Sequence, residues 1–174
     1  MSPRQKTTFT YEHAILGFLI EAPMHAYALH LRLVESPIGN IWHIKQSAFY
    51  AIVVRMQEAG LLLAAESEDD GRGKRLLVCT PLGETIFGQW CSAYVAHPRD
   101  MRIEFMAKLY FCTIRGPSAV SALYQQQSVR CQQWLDQLVI DPAVDYYTNS
   151  VQRYRRGQIQ ATIAWMEAGR PIEY

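Results

Sequence analysis

The stretch that most restricts the fold lies between Leu61 and Thr80, where two apolar runs, LLLAAESE and RLLVCT, flank DDGRGK. Runs of strand length on either side of an Asp-Gly and a second glycine predict a two-stranded antiparallel hairpin. Everything around this hairpin carries the period of a helix.

Ahead of it, Tyr11, Ala14, Ile15, Phe18 and Leu19 form the i, i+3, i+4, i+7, i+8 stripe of an amphipathic helix that Thr10 can cap and Pro23 stops. A second helix runs through Tyr27, Leu31 and Val34 and ends near Pro37 and Gly39. A third runs from Lys45 or Gln46 to Ala59, with Gly60 placed for a left-handed C-terminal cap. After the hairpin, Pro81 opens a helix from about Leu82 to Val95. Beyond AHPRD the helices lengthen, with spans expected at about Met101 to Thr113, Ser118 to Val139 and Val144 to Ala168. In the last of these, Val144, Tyr147, Val151, Tyr154, Gln158, Ala161, Trp165 and Ala168 step alternately by 3 and 4. That is the spacing of a coiled-coil seam, and a seam needs a partner helix.

Three helices, a hairpin and a further helix make the chain order of a winged helix-turn-helix. The fold class expected is therefore mainly α with a small β-hairpin wing: residues 1–96 as a DNA-binding domain, and 97–174 as a long-helix domain for dimerisation and an effector. At 174 residues, 49% of them hydrophobic, the chain can bury a core of this size. Its longest apolar run, Ala14 to Ile20, falls well short of the roughly 18 to 20 residues of a membrane helix. The opening MSPRQKTTFTYEHAILGF shows no secretory pattern, so a cytoplasmic protein with no membrane partner is expected.

A net charge of +1 does not by itself favour nucleic acid, so placement has to decide. On a helical wheel of the third helix, Phe49, Ile52, Val53 and Met56 face the core, while Ser47, Tyr50, Val54 and Gln57 face outward. Lys45 and Gln46 lie at the helix start and Arg55 on a flank. Lys45 and Arg55 suit phosphates, Gln46 an adenine edge, Ser47 several acceptors, and Tyr50 a phosphate or a thymine methyl. The hairpin tip adds Arg72, Lys74 and Arg75, blunted by Asp69 and Asp70, and the N-terminal arm adds Arg4 and Lys6. Taken singly, a basic hairpin tip is solvated surface and Tyr50 an ordinary helix tyrosine. It is their occurrence together, in this chain order, that points to double-stranded DNA.

From Tyr11 to Gly83 the chain resembles the PadR family of bacterial transcriptional regulators. The residues that carry the likeness are YEHAILGFLIEAPMHAYAL, AFYAIVVRMQEAGLL and GRGKRLLVCTPLG, matching family patterns at Tyr50, Arg55, Gly60, Leu61, Gly71, Arg72, Lys74, Arg75 and Thr80 to Gly83. PRDMRIEFMAKLYF and the closing IAWMEAG are similar to the C-terminal helical region of longer members. The resemblance implies a homodimer held by the terminal helices through residues such as Tyr147, Val151, Tyr154 and Trp165. It also implies a near-palindromic operator, repression, and, in the phenolic-acid branch, release by a small aromatic acid. The chain departs from the pattern at Ala51, where proline is usual, at Val54, where a basic residue is common, and at Leu77, where the wing has tyrosine.

An enzyme is not expected. The five histidines are scattered, and no nucleophile elbow, GxGxxG or P-loop occurs. Cys79, Cys91, Cys112 and Cys131 lie 12, 21 and 19 positions apart with no CxxC pair, so buried thiols and no metal or cofactor are expected. For an aromatic acid, Tyr11, Trp42, Tyr110, Tyr124 and Trp134 offer stacking surfaces, and Arg99, Arg102 or Lys108 a partner for the carboxylate. The rival to an inducible repressor is a dimeric interaction module, or an activator of the same fold without small-molecule induction.

Overall fold

The computed structural model describes residues 8–66 and 75–169. Its elements, in chain order, are α1 (Thr8–Glu21), β1 (Met24–His25), α2 (Ala26–Glu35), a 3-10 turn (Pro37–Asn40), α3 (Gln46–Glu58), β2 (Leu62–Glu66), β3 (Arg75–Cys79) and α4 (Pro81–Ser92). A second 3-10 turn (Pro98–Arg102), α5 (Glu104–Arg115), α6 (Pro117–Asp136) and α7 (Tyr146–Ala168) follow. This is a mainly helical winged helix-turn-helix with a small antiparallel sheet.

The chain divides into two compact units. The first holds the residues up to Ser92 together with Met106–Phe111, and the second holds Ala93–Phe105 with the residues from Cys112 onward. In the first, α1, α2 and α3 bury Ile15, Phe18, Leu29, Leu33, Phe49 and Met56 in a shared core. Close packing there leaves no room for a side chain at Gly17, where a Cβ would stand 2.4 Å from Phe111 Cε1.

The sheet has the order β1-β3-β2, so the expected hairpin gains a third strand. Met24 pairs with Leu77 and His25 with Leu76, and the His25 ring lies 3.2 Å from the Arg75 carbonyl through Nδ1. Two residues are too few to show a period, which is why β1 is invisible in the sequence.

Two local devices join the sheet to the recognition-type helix. α3 ends as Gly60 enters the left-handed region at φ 72°, while the Gly60 N–H donates to Gln57 O and the Leu61 N–H to Met56 O. Those paired bonds are a Schellman cap, and glycine adopts that conformation without Cβ strain. At the far end of β3, the Thr80 hydroxyl accepts from the Gly83 N–H at 3.1 Å and donates to Gly60 O at 2.8 Å. Thr80 thus caps α4, Pro81 opens it, and Gly83 lets the helix approach Leu61 O, which a Cβ would meet at 2.6 Å. The run TPLG therefore has a packing explanation independent of DNA.

In the second unit α6 packs on α7, and one buried amide secures the chain ahead of it. Gln127, fully buried, accepts from the Val95 N–H at 2.7 Å and also donates to the Val95 carbonyl. Gln127→Leu is expected to cost about 1–3 kcal/mol by leaving that N–H without an acceptor. Denaturant unfolding checks this, and an unchanged midpoint would refute the clamp. On α7, Asp145 accepts from the Thr148 N–H at 3.0 Å, a bond that holds its carboxyl below the ordinary range. No helix among the described residues is long and apolar enough to cross a membrane.

Candidate nucleic-acid interface

α3 sorts its residues as its period requires. Phe49, Ile52, Val53 and Met56 are buried, while Gln46, Ser47, Ala48, Tyr50, Ala51, Val54, Arg55 and Glu58 are exposed. Gln57, expected outward, is half-buried. The helix opens on Lys45, exposed and in extended backbone, whose side chain makes no capping hydrogen bond. First-turn N–H groups have no acceptor within a helix, so this end suits an external anion. Tyr50 rests its ring against Phe49 in a T-shaped contact at 5.6 Å and keeps 37% of its surface open. A tyrosine held this way costs little entropy when it binds.

The two flanking arginines differ. Arg55 Nη2 lies 2.7 Å from Glu12 Oε1 of α1, so its charge is already engaged. Residue types alone do not show this pairing, because Glu12 stands 43 positions away. The pair ties α3 to α1 and holds the guanidinium on the helix shoulder. Arg75 is exposed at the start of β3, opposite Glu66 in the hairpin register. Arg72 and Lys74, expected at the wing tip, lie outside the described residues, as do Arg4 and Lys6.

The residues expected around an aromatic acid divide between the units. In the first, Tyr11 and Trp42 meet edge to face at 5.2 Å, and the Tyr11 hydroxyl donates to His43 O at 3.1 Å. Burial raises the Tyr11 pKa, so the phenol remains a neutral donor. Trp42 is buried and its Nε1 has no hydrogen-bond partner. Lys108 is only 1% exposed, with Nζ 5.4 Å from the centre of the Trp90 ring. In the second unit Arg99 sits in a solvent-facing pair with Asp100 at 3.7 Å. Tyr124 stacks on Phe105 at 6.1 Å, and Trp134, buried, lies under the Arg130 guanidinium at 5.7 Å. Among these residues, Tyr11 and Trp42 form a direct ring pair.

α7 carries two stripes. Asn149, Ile159 and Met166 are buried, with Gln152, Arg156 and Ile163 half-buried between them. The expected seam is the other stripe: Tyr147 is 76% and Tyr154 66% exposed, whereas Val151 is half-buried. Trp165 is partly spent within its own unit, its ring meeting Phe105 at 6.1 Å and Tyr124 at 5.8 Å.

The described residues hold no group of three or more metal-ligating side chains. All four cysteines are buried free thiols, and burial, then the Glu84 charge, pushes the Cys79 thiol up to about 11.

No family model matches the chain. The negative transcriptional regulator PadR of Bacillus subtilis is 23% identical over 128 residues, spanning 73% of this chain and 70% of that protein. Among solved structures, Bacillus subtilis PadR in complex with operator DNA is similar at a TM-score of 0.47 and 19% identity, covering 96% of this chain and 97% of that one. The same protein in complex with p-coumaric acid has a TM-score of 0.46 at 19% identity, covering 94% and 95%. A PadR-like transcriptional regulator from Bacillus cereus has a TM-score of 0.46 at 12% identity, covering 97% of each chain.

Proposed function

We propose that the chain, which is similar to the negative transcriptional regulator PadR, is a DNA-binding regulator whose α3 enters the major groove of a near-palindromic operator. The observation that carries this is the outward side of α3: Gln46, Ser47, Tyr50, Ala51 and Val54 are all exposed, behind an uncapped start at Lys45. In this role Lys45 and Arg75 meet phosphates, Gln46 and Ser47 pair with base edges, and Tyr50 touches the backbone or a base. Arg72 and Lys74 extend the contact from the wing. Arg55 serves mainly to brace α3 through Glu12, contributing a weaker phosphate contact from the shoulder.

The chain works as a homodimer, with residues 1–96 contacting DNA and 97–174 supplying the pairing surface on α7 around Tyr147, Val151, Tyr154 and Trp165. A two-fold axis sets the two copies of α3 about 34 Å apart, one helical turn of DNA. Its Bacillus subtilis relative is named a negative regulator, and repression is the output proposed here, in the cytoplasm. An aromatic acid acts as inducer by favouring the dimer that cannot bind DNA, its candidate contacts being Tyr11, Trp42 and Lys108 within the first unit or Arg99, Tyr124 and Trp134 within the second. Four tryptophans report that binding directly by fluorescence.

Binding to a labelled random-sequence duplex over a range of salt tests the central proposal. The affinity should fall linearly on logarithmic axes, with a slope of about −0.9 for each phosphate neutralised. Tyr50→Ala should leave the fold intact and weaken operator binding roughly tenfold, as a single base or phosphate contact is worth about 1–3 kcal/mol. Salt-independent or absent binding would instead favour the protein-interaction module.

A further inference from the structure

At about 100° per residue, the middle of the outward side of α3 is one row: Ser47, Ala51, Val54 and Glu58 fall within about 40° of a line, with Tyr50 on one shoulder and Arg55 on the other. All four are exposed, and Val54 keeps 54% of its surface open. This row is the part of a recognition helix that goes deepest into a groove. It contains no cation. Arg55, the one basic side chain within α3, is held by Glu12 at 2.7 Å, and Lys45 precedes the helix. The row therefore lacks the bidentate arginine or lysine that recognises guanine through O6 and N7. What it offers is the Ala51 methyl beside the two Val54 methyls, a short apolar ledge flanked by the hydroxyls of Ser47 and Tyr50.

Only one base edge in the major groove presents an apolar group, the C5-methyl of thymine. Ser47 and Ala51 are small, so the helix axis can come close enough for Val54 to reach the groove floor. We infer that Ala51 and Val54 determine specificity by packing on thymine C5-methyl groups, so that the centre of each operator half-site is A·T-rich. This rests on the DNA-binding role proposed above and specifies the bases it selects. Charge complementarity supports duplex DNA as the occupant of this ledge, because Lys45 and Arg75 are exposed on the same head.

The test begins with the full-length protein and a random duplex library, from which the tightest sequence is selected. Each thymine in that duplex is then replaced by deoxyuridine, which differs only by the lost methyl. Affinity should drop about fourfold per contacted methyl, and about fifteenfold when both half-sites are changed, from the transfer energy of one buried carbon. In Val54→Ala the ratio of thymine to uracil affinity should fall toward one. Val54→Thr, which keeps one methyl, should give an intermediate ratio. A ratio near one at every thymine, or a wild-type ratio in Val54→Ala, overturns the inference while leaving DNA binding in place. Enrichment of no duplex at all overturns DNA binding itself, and this inference with it.

Discussion

A chain carrying Tyr147→Glu together with Tyr154→Glu is expected to sediment as a monomer, keep its helical content, and bind the operator about 10²–10⁴-fold more weakly. Both tyrosines stand on the outer stripe of α7, 76% and 66% exposed, so carboxylates there remain solvated in a single chain. In a paired dimer the same carboxylates would lie opposite each other across an apolar seam, desolvated and mutually repelling. A buried tyrosine covers about 150–250 Å² of surface, so four of them across a two-fold axis are a large share of a modest interface. Loss of affinity follows from losing the tether: the second half-site then has to be found by a second collision. The inner stripe, Asn149, Ile159 and Met166, is untouched, which makes this a cleaner test than deleting α7. Sedimentation velocity and circular dichroism decide it. A double variant that remains dimeric removes the outer stripe from the assembly.

Gly39→Ala is expected to destabilise the first unit by about 3 kcal/mol, the upper end of what one added methyl costs in a packed interior. Gly39 is buried in the 3-10 turn after α2, where a Cβ would lie 2.0 Å from Val34 O and 2.7 Å from Val34 C. These are backbone atoms of the preceding helix, so no rotamer change can make room. Relief requires the turn to move, and with it the neighbouring Ile38, which is fully buried. Gly88→Ala is the control. Gly88 lies inside α4 with nothing within 4 Å of the added carbon, so the same substitution should stabilise by about 0.5–1 kcal/mol through helix propensity. Unfolding midpoints that move in the same direction for both variants would refute the packing argument.

How much of this molecule was legible in its sequence depends on the distance over which each feature is encoded. The outward and inward sides of α3 follow from the helical period, and Phe49, Ile52, Val53 and Met56 are buried as that period requires. The order of helices around the hairpin was legible because prolines and glycines mark its joints. Gly60 caps α3 at positive φ, and Pro81 opens α4. Helix ends shifted by a few residues, α4 stopping at Ser92 and α6 at Asp136, because fraying ends depend on local hydrogen bonds rather than on periodicity.

By itself, then, the sequence determined the winged helix-turn-helix order, the side of α3 that faces out and one seam-spaced stripe on the last helix. Each is written in residues no more than a few turns apart. Tertiary structure alone decided that Arg55 is held by Glu12, that Lys108 is buried against Trp90, that Gln127 clamps Val95 and that Met24 and His25 add a strand. It also decided which stripe of α7 is already covered. These depend on which distant segments meet, and a charge or an amide carries no local mark of the partner that folding will bring to it.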